Sequence, residues 1–254
     1  MIDSHTHLFL CERTEEELVA SAAEAGVARM LNVGLGGDAN EAAIAAAELH
    51  EGVFATVGWH PTSEGFDDAA AEQIARLAAH EKVRAIGETG IDHYRETATP
   101  AEQRRAFEAQ IEIARDRDLP IVIHARDPDG ESGATDEIFG ILDARADGHP
   151  VVLHCFSAPQ RVGDAADRGW YCSFAGNVTY PQSDDLREAA AKVPDGLLLV
   201  ETDAPYLAPQ AVRGKPNEPA NVVATARVVA EARGVSYEEL ERTVEANARA
   251  AFGW

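Results

Sequence analysis

The chain has 254 residues, 45% of them hydrophobic, with 22 Lys and Arg against 44 Asp and Glu and a net charge of −22. That length holds one (β/α)8 barrel or two small domains, and no apolar run approaches the ~20 residues that span a bilayer. The charge argues against a nucleic-acid module working through broad basic patches; the expectation is a halophilic-type acidic surface that repels itself in dilute buffer and is screened in ~1 M salt, where the Debye length is ~3 Å, the alternative being an acidic surface kept for solubility.

The opening stretch, MIDSHTHL, is an apolar strand candidate carrying two histidines. Side chains alternate along a strand, so His5 and His7 share a face. Thr14 with Glu17 then forms a capping box that starts a helix, which ends before Gly26. ARMLNVG and VFATVGWH are the next strands, the latter closing on His60. VRAIGETG carries Glu88 and leads to Asp92. Thr99, Pro100 and Glu102 combine an N-cap, a first-turn proline and an N3 acid. PIVIHAR follows with His124 and Arg126, then PVVLHCF with His154. Ser157 with Gln160 marks another helix start, and Gly169 its end. WYCSFAG and LLLVETD are the last strands, with Glu201 and Asp203 at the final one's end. Ser236 with Glu239 opens the last long helix.

These eight strand runs are continuously apolar rather than alternating, as expected for parallel strands buried on both faces. Eight strand–helix units with no linker between them predict an α/β fold, a (β/α)8 TIM barrel spanning residues 1–254 as a single domain. An open doubly wound sheet is the alternative, but THLFLCERT after the first strand is not a Gly-rich phosphate loop. The three cysteines, Cys11, Cys155 and Cys172, form no CxxC pair. They read as free buried thiols of a reducing cytosol, with a metal role open for Cys155 beside His154. No secretory pattern opens the chain, so the expected location is cytoplasmic.

In such a barrel the C-terminal strand ends face the active site. His5, His7, Glu88, His124, His154 and Asp203 all fall there. Each has an ordinary explanation alone: an incidental HxH, strand-end histidines bonded to backbone, a turn-capping Glu88, an Asx-turn at Asp203. An unpartnered buried carboxylate costs several kcal/mol, roughly, and one metal cluster satisfies all six residues at once. Six such ligands suit two metals sharing a carboxylate. His60, before a proline, either shapes its loop or joins the site. Glu201 alternates with Asp203 and reads as its support. His50, His80, His93 and His149 read as solvated.

The stretches DSHTHL, GWHP, GETGIDHY, IVIHAR, LHCFS, ETDAPYL and RGKPNEP occur in this order between residues 3 and 219. Together they resemble the TatD-related family of metal-dependent hydrolases, within the amidohydrolase-like barrel superfamily. The resemblance implies a divalent-metal hydrolase, often a deoxyribonuclease acting on DNA ends. It implies His5, His7 and Asp203 on one metal, His124 and His154 on the other, and Glu88 bridging, with Asp203 and Glu88 as catalytic groups. The chain departs from the family at Ala158, where glycine is usual, and in RDPDGESGATDEI, which is longer and more acidic than usual.

The expected chemistry is phosphodiester hydrolysis by a two-metal-activated hydroxide, exonuclease-like in the 3'-5' direction and favouring single strands or ends. The cofactors are two divalent ions drawn from Zn, Mn or Mg. Asp203 orients the nucleophile or takes its proton. His60, Arg126, Arg213 and Lys215 are the candidate phosphate-binding groups. DNA is the expected substrate, with no membrane and no obligate protein partner. The rivals are a hydrolase of a small ester, amide or phosphoester, and a non-catalytic metal-binding protein; a missing ligand would favour the latter, and none is missing.

Overall fold

A strand that is apolar at every position must have both faces covered, and a closed barrel ringed by helices does this. The computed structural model describes residues 1–95 and 97–254. Its strands are β1 (Ile2–Thr6), β2 (Arg29–Val33), β3 (Val53–Val57), β4 (Val83–Asp92), β5 (Ile121–Arg126), β6 (Val151–Leu153), β7 (Tyr171–Phe174) and β8 (Leu198–Val200). They form one eight-stranded sheet in chain order, parallel at every pairing. The barrel closes where β1 meets the chain leaving β8. His7 N–H donates to the Ala204 carbonyl (2.8 Å) and Asp203 N–H to the His5 carbonyl (2.9 Å). The closing seam therefore runs through three of the residues singled out above.

Helices α1 (Glu15–Glu24), α2 (Gly37–Leu49), α3 (Asp68–Leu77), α4 (Pro100–Arg117), α5 (Gly133–Arg145), α6 (Val162–Asp167), α7 (Asp184–Lys192), α8 (Val222–Arg233) and α9 (Tyr237–Phe252) separate the strands and close the chain. Both reciprocal capping boxes form, at Thr14 and at Thr99, and Ser236 caps α9 through the Glu239 amide. The start expected at Ser157 does not form. Pro159–Arg161 make a short 3₁₀ turn that runs into α6 without a side-chain cap, because the Ser157 hydroxyl donates instead to the Ala125 carbonyl (3.4 Å). The acidic stretch after β5 has a local use. Asp127 caps the start of α5, accepting from Ala134 N–H (2.6 Å), Thr135 N–H (3.1 Å) and the Thr135 hydroxyl (2.7 Å).

All three cysteines are free; Cys172 is buried, whereas Cys11 and Cys155 are half-buried rather than sealed in the core. His149 is not solvated as expected: its Nε2 donates to the Leu119 carbonyl (2.7 Å). Among the described residues no helix is long and apolar enough to cross a membrane.

Candidate metal centre

The period of β1 sends His5 and His7 into the barrel together, with their Nε2 atoms 3.3 Å apart. The Val33 carbonyl can only accept, so His7 Nδ1 donates to it (2.9 Å). In the neutral ring that bond leaves the lone pair on Nε2, the state a metal ligand requires.

Glu88 reaches the same place from β4 through two glycines. Gly87 sits at φ 142° and Gly90 at φ 144°. A Cβ would stand 2.6 Å from the Val122 carbonyl oxygen at Gly87 and 2.0 Å from that of His124 at Gly90. Only glycine lets β4 lie this close to β5 while Glu88 turns to the barrel axis. Asp203 occupies a left-handed turn at φ 53°, which Asp tolerates better than most residues.

The two oxygens of Glu88 face different partners. Oε2 lies 3.4 Å from His5 Nε2 and 3.7 Å from His7 Nε2. Oε1 lies 2.7 Å from His124 Nδ1, 2.9 Å from His154 Nε2 and 3.4 Å from His60 Nε2. Asp203 Oδ1 completes the first group, 3.5 Å from His7 Nε2 and 3.9 Å from His5 Nε2. The structure thus brings together all six expected ligand residues and adds His60. Among the described residues three donor sets could hold an ion: His5–His7–Glu88, His60–Glu88–His124 and His5–His154–Asp203.

A further shell of bonds orients these side chains. Asp92 Oδ2 is 3.1 Å from His124 Nε2, and Glu201 Oε1 is 3.1 Å from His154 Nδ1. His60 Nδ1 accepts from Thr62 N–H (3.1 Å), so the proton of the neutral ring sits on Nε2 and points at Glu88. Asp3, fully buried, accepts from Thr202 N–H (2.9 Å) and the Thr202 hydroxyl (2.6 Å), fixing the turn that carries Asp203. Asn217, from the RGKPNEP stretch, donates to the carbonyls of Thr202 (3.0 Å) and Tyr206 (2.6 Å). It buckles ETDAPYL in place.

Two amides of α4 hold two strand ends. Gln103 accepts from Asp92 N–H (2.8 Å) and donates to the Asp92 carbonyl (3.0 Å). Gln110 does the same for Trp59 (2.7 and 3.1 Å) and also donates to the Thr89 hydroxyl (2.6 Å). Their seven-residue spacing is two helical turns, which puts both on one face. Sequence reasoning missed Asp3, Gln103, Gln110, Thr202 and Asn217; the spacing of the two glutamines was the signal available.

Burial pushes the Glu88 carboxyl up, but the charges of His154 and His60 and hydrogen bonds from His124 and His154 outweigh it and hold it well below the usual carboxylate range. Burial opposes the charge on His154, yet Glu88 and Glu201 raise it well above the usual imidazole value. Burial likewise disfavours charge on His124 and His7, and bonds to Asp92 and Glu88, and to Asp203, raise them. Burial and neighbouring imidazole charge lower His5, and burial lowers His60. Asp203 resists burial through its bond to His7 and stays lowered. The cluster thus sets ionised carboxylates beside imidazoles of two kinds, His7, His124 and His154 favouring the proton and His5 and His60 disfavouring it, and a dication would compete with those protons for the same nitrogens.

The expected phosphate-binding groups beyond His60 lie farther out. Arg126 is half-buried with its guanidinium 4.2 Å from the Tyr94 ring centroid. Arg213 is exposed and lies 4.3 Å from the Tyr180 ring centroid. Lys215 is exposed. These side chains stand on the rim, and none joins the donor cluster. Cys155 contributes its amide to Glu201 Oε1 (2.8 Å), while burial keeps its thiol well above the usual value and protonated.

An eight-stranded parallel barrel with imidazoles and carboxylates gathered at its C-terminal strand ends belongs to the metal-dependent hydrolase barrels. The TatD-related DNase family model matches residues 2–253, and the chain belongs to that family. It is 39% identical to a protein of Mycobacterium tuberculosis named an uncharacterized metal-dependent hydrolase TatD, covering 100% of this chain and 98% of that one. It is 37% identical to a 3'-5' ssDNA/RNA exonuclease TatD of Dickeya dadantii, over 93% of this chain and 91% of the relative. The crystal structure of a TatD homologue from Escherichia coli K12 superposes with a TM-score of 0.91 at 26% identity, covering 100% of this chain and 98% of that one. The chain is a TatD-family metal-dependent hydrolase.

Proposed function

We propose that this hydrolase is a two-metal nuclease that shortens single-stranded DNA from an end, in the 3'-5' direction. The observation that carries the reading is the position of Glu88 between two donor groups, one oxygen facing each. The donors fit metal ions. Tetrahedral ligands at ~2.0–2.1 Å from a metal stand about 3.3 Å from one another, and the His5–His7 and His5–Glu88 contacts are 3.3 and 3.4 Å. His5, His7 and Asp203 would hold one ion, His124 and His154 the other, and Glu88 would bridge them. Such ions supply Lewis-acid stabilisation and a water that ionises near neutral pH. The mixture of imidazole and carboxylate suits Zn or Mn and admits Mg.

The chain's own groups do the rest. Asp203 is the most open carboxylate of the set, its side chain 13% exposed, so it receives the proton of the attacking water and orients it. His60 Nε2, 3.4 Å from Glu88 Oε1, would turn its proton from that carboxylate to a phosphoryl oxygen once substrate is bound. Arg126, Arg213 and Lys215 meet flanking phosphates at the rim. The name carried by the Dickeya relative supports nucleic acid as substrate. The free cysteines fit a reducing compartment, and we assign the enzyme to the cytoplasm. The net charge of −22 favours one rival, hydrolysis of a small phosphoester at the same two-metal site.

One assay separates them. End-labelled single-stranded DNA is incubated in high KCl with Mn or Mg, with and without chelator. Chelator-sensitive stepwise shortening from the 3' end is expected. Intact DNA from folded, metal-loaded protein would transfer the reading to the small substrate.

A further inference from the structure

Among the described residues four large apolar side chains are exposed: Leu10 (38%), Leu49 (75%), Tyr94 (56%) and Tyr206 (50%). Leu49 closes α2, at the end of the barrel away from the metal centre. The other three follow β1, β4 and β8, in the loops around the mouth. Exposed aromatic surface is thus concentrated where substrate must enter.

Both tyrosines are built into the site framework. Tyr206 follows Asp203 by three residues; its N–H donates to the Asp203 carbonyl (2.8 Å) and its own carbonyl accepts from Asn217 (2.6 Å). Its ring centroid is 6.4 Å from that of His7, edge to face. Tyr94 N–H donates to Asp92 Oδ1 (2.9 Å), the carboxylate whose other oxygen contacts His124. Arg126 lies over one face of its ring, and the remaining surface meets solvent. β4 and β8 are four strands apart in an eight-stranded barrel, so the two rings stand on opposite sides of the mouth.

We infer that Tyr206 and Tyr94 are nucleobase-stacking residues that grip the unpaired end of the strand on either side of the scissile phosphate. The inference rests on the nuclease reading above and gives its single-strand preference a cause. Unpaired bases offer free faces to aromatic rings, whereas bases in a duplex already stack on their neighbours. It also answers the charge problem. A chain of net charge −22 with only three lysines gains little from counterion release, and stacking holds a strand without it.

The test uses the metal-loaded full chain, single-stranded oligonucleotides with a normal or an abasic terminal segment, and the variants Tyr206→Ala, Tyr206→Phe, Tyr94→Ala and Tyr94→Phe. The alanine variants are expected to raise KM on normal ends by about five- to 150-fold, with kcat changed much less. Phenylalanine keeps the stacking face and should restore KM. On abasic ends the wild type should lose the same factor and the alanine variants little more. A terminal 2-aminopurine should be quenched on binding to the wild type and not to the alanine variants. Wild-type KM indifferent to the abasic segment, or phenylalanine variants as impaired as alanine ones, would overturn stacking and leave the nuclease reading standing. Failure of the wild type to cut any oligonucleotide would overturn both.

Discussion

His154 and Glu201 form a buried pair in which Glu201 Oε1 accepts from both the His154 ring (3.1 Å) and the Cys155 amide (2.8 Å). Neither group is on the surface; Glu201 is fully buried. The carboxylate fixes which ring nitrogen of His154 faces Glu88, and its charge raises the basicity of that ring. A carboxylate that accepts from a metal-ligating histidine in this way is typically worth about 10–100-fold in metal affinity. Glu201→Gln should weaken binding at the His124–His154 side by that factor, while His5 and His7 keep theirs. Calorimetric titration of Mn into chelator-treated protein should resolve one weakened site. Two unchanged sites would show that Glu201 only packs.

Asp3 carries a pH signature. Burial lifts its carboxyl from 3.8 to about 8, against hydrogen bonds from Thr202 and His5 that pull it down. Between those values the folded chain keeps a proton that the unfolded chain has lost. Stability from this group is therefore full at low pH and falls as pH rises, by up to about 1.4 kcal/mol per pH unit. Asp3→Asn mimics the protonated acid and should flatten that fall. Urea unfolding of metal-free protein at several values between pH 5 and pH 8 tests it. Parallel pH profiles for the two proteins would mean that Asp3 is ionised in the fold.

Much of this architecture is legible in the amino-acid sequence. The strands could be read because PIVI in PIVIHAR and LLLV in LLLVETD are unbroken apolar runs, which leaves few alternatives to buried parallel strands. The six candidate ligands stood out because a histidine or carboxylate at the end of such a run needs a partner. What stayed hidden has no pattern of that kind. Asp3 looks like any residue near a chain start, though β1 buries it completely. Gln103 and Gln110 look like surface amides of an Ala-rich helix until α4 is set against the ends of β3 and β4. The placing of Arg126 over Tyr94, and of Arg213 over Tyr180, depends on rotamers that spacing cannot reveal. Ser157 had the right spacing for a helix start, but its hydroxyl is taken by β5.

Gln110 links α4 to His60 through the backbone of the residue before it. Replacing it by alanine strands Trp59 N–H and C=O and the Thr89 hydroxyl. Each buried group left without a partner costs about 1–3 kcal/mol. Gln110→Ala should therefore lose a few kcal/mol in chemical denaturation. At temperatures where it remains folded it should also lose substrate affinity, because His60 is no longer held. Gln110→Glu should be at least as damaging, because it buries a carboxylate against the Trp59 and Ala106 carbonyls. Full stability in the alanine variant would mean that water replaces the amide.

Self-repulsion sets a salt dependence of the fold itself. With 44 acidic and 22 basic side chains, many exposed carboxylates lack an opposite charge. Screening shortens from ~10 Å at 0.1 M to ~3 Å at 1 M. The melting temperature should rise steadily with KCl across this range, and sucrose, which screens nothing, should not reproduce the charge-dependent part. Full stability and activity in dilute buffer would remove the case for a salt-adapted protein.

Salt should act differently on substrate binding. A nuclease gripping single-stranded DNA through many phosphates shows log affinity falling against log salt with a slope near −0.7 per contact. Here the rim offers Arg126, Arg213 and Lys215, and three such contacts give a slope of about −2. If the tyrosines and the metal centre provide most of the grip, cleavage should continue at salt concentrations that release DNA from proteins with basic grooves. The measurement is KM for a short oligonucleotide from 0.1 to 2 M KCl, repeated on Arg213→Ala and Lys215→Ala. Each substitution should make the slope shallower by about 0.7 and leave KM at high salt nearly unchanged. A wild-type slope steeper than about −5 would require a larger set of phosphate contacts than the three rim cations supply, and binding would then have to be sought on another surface.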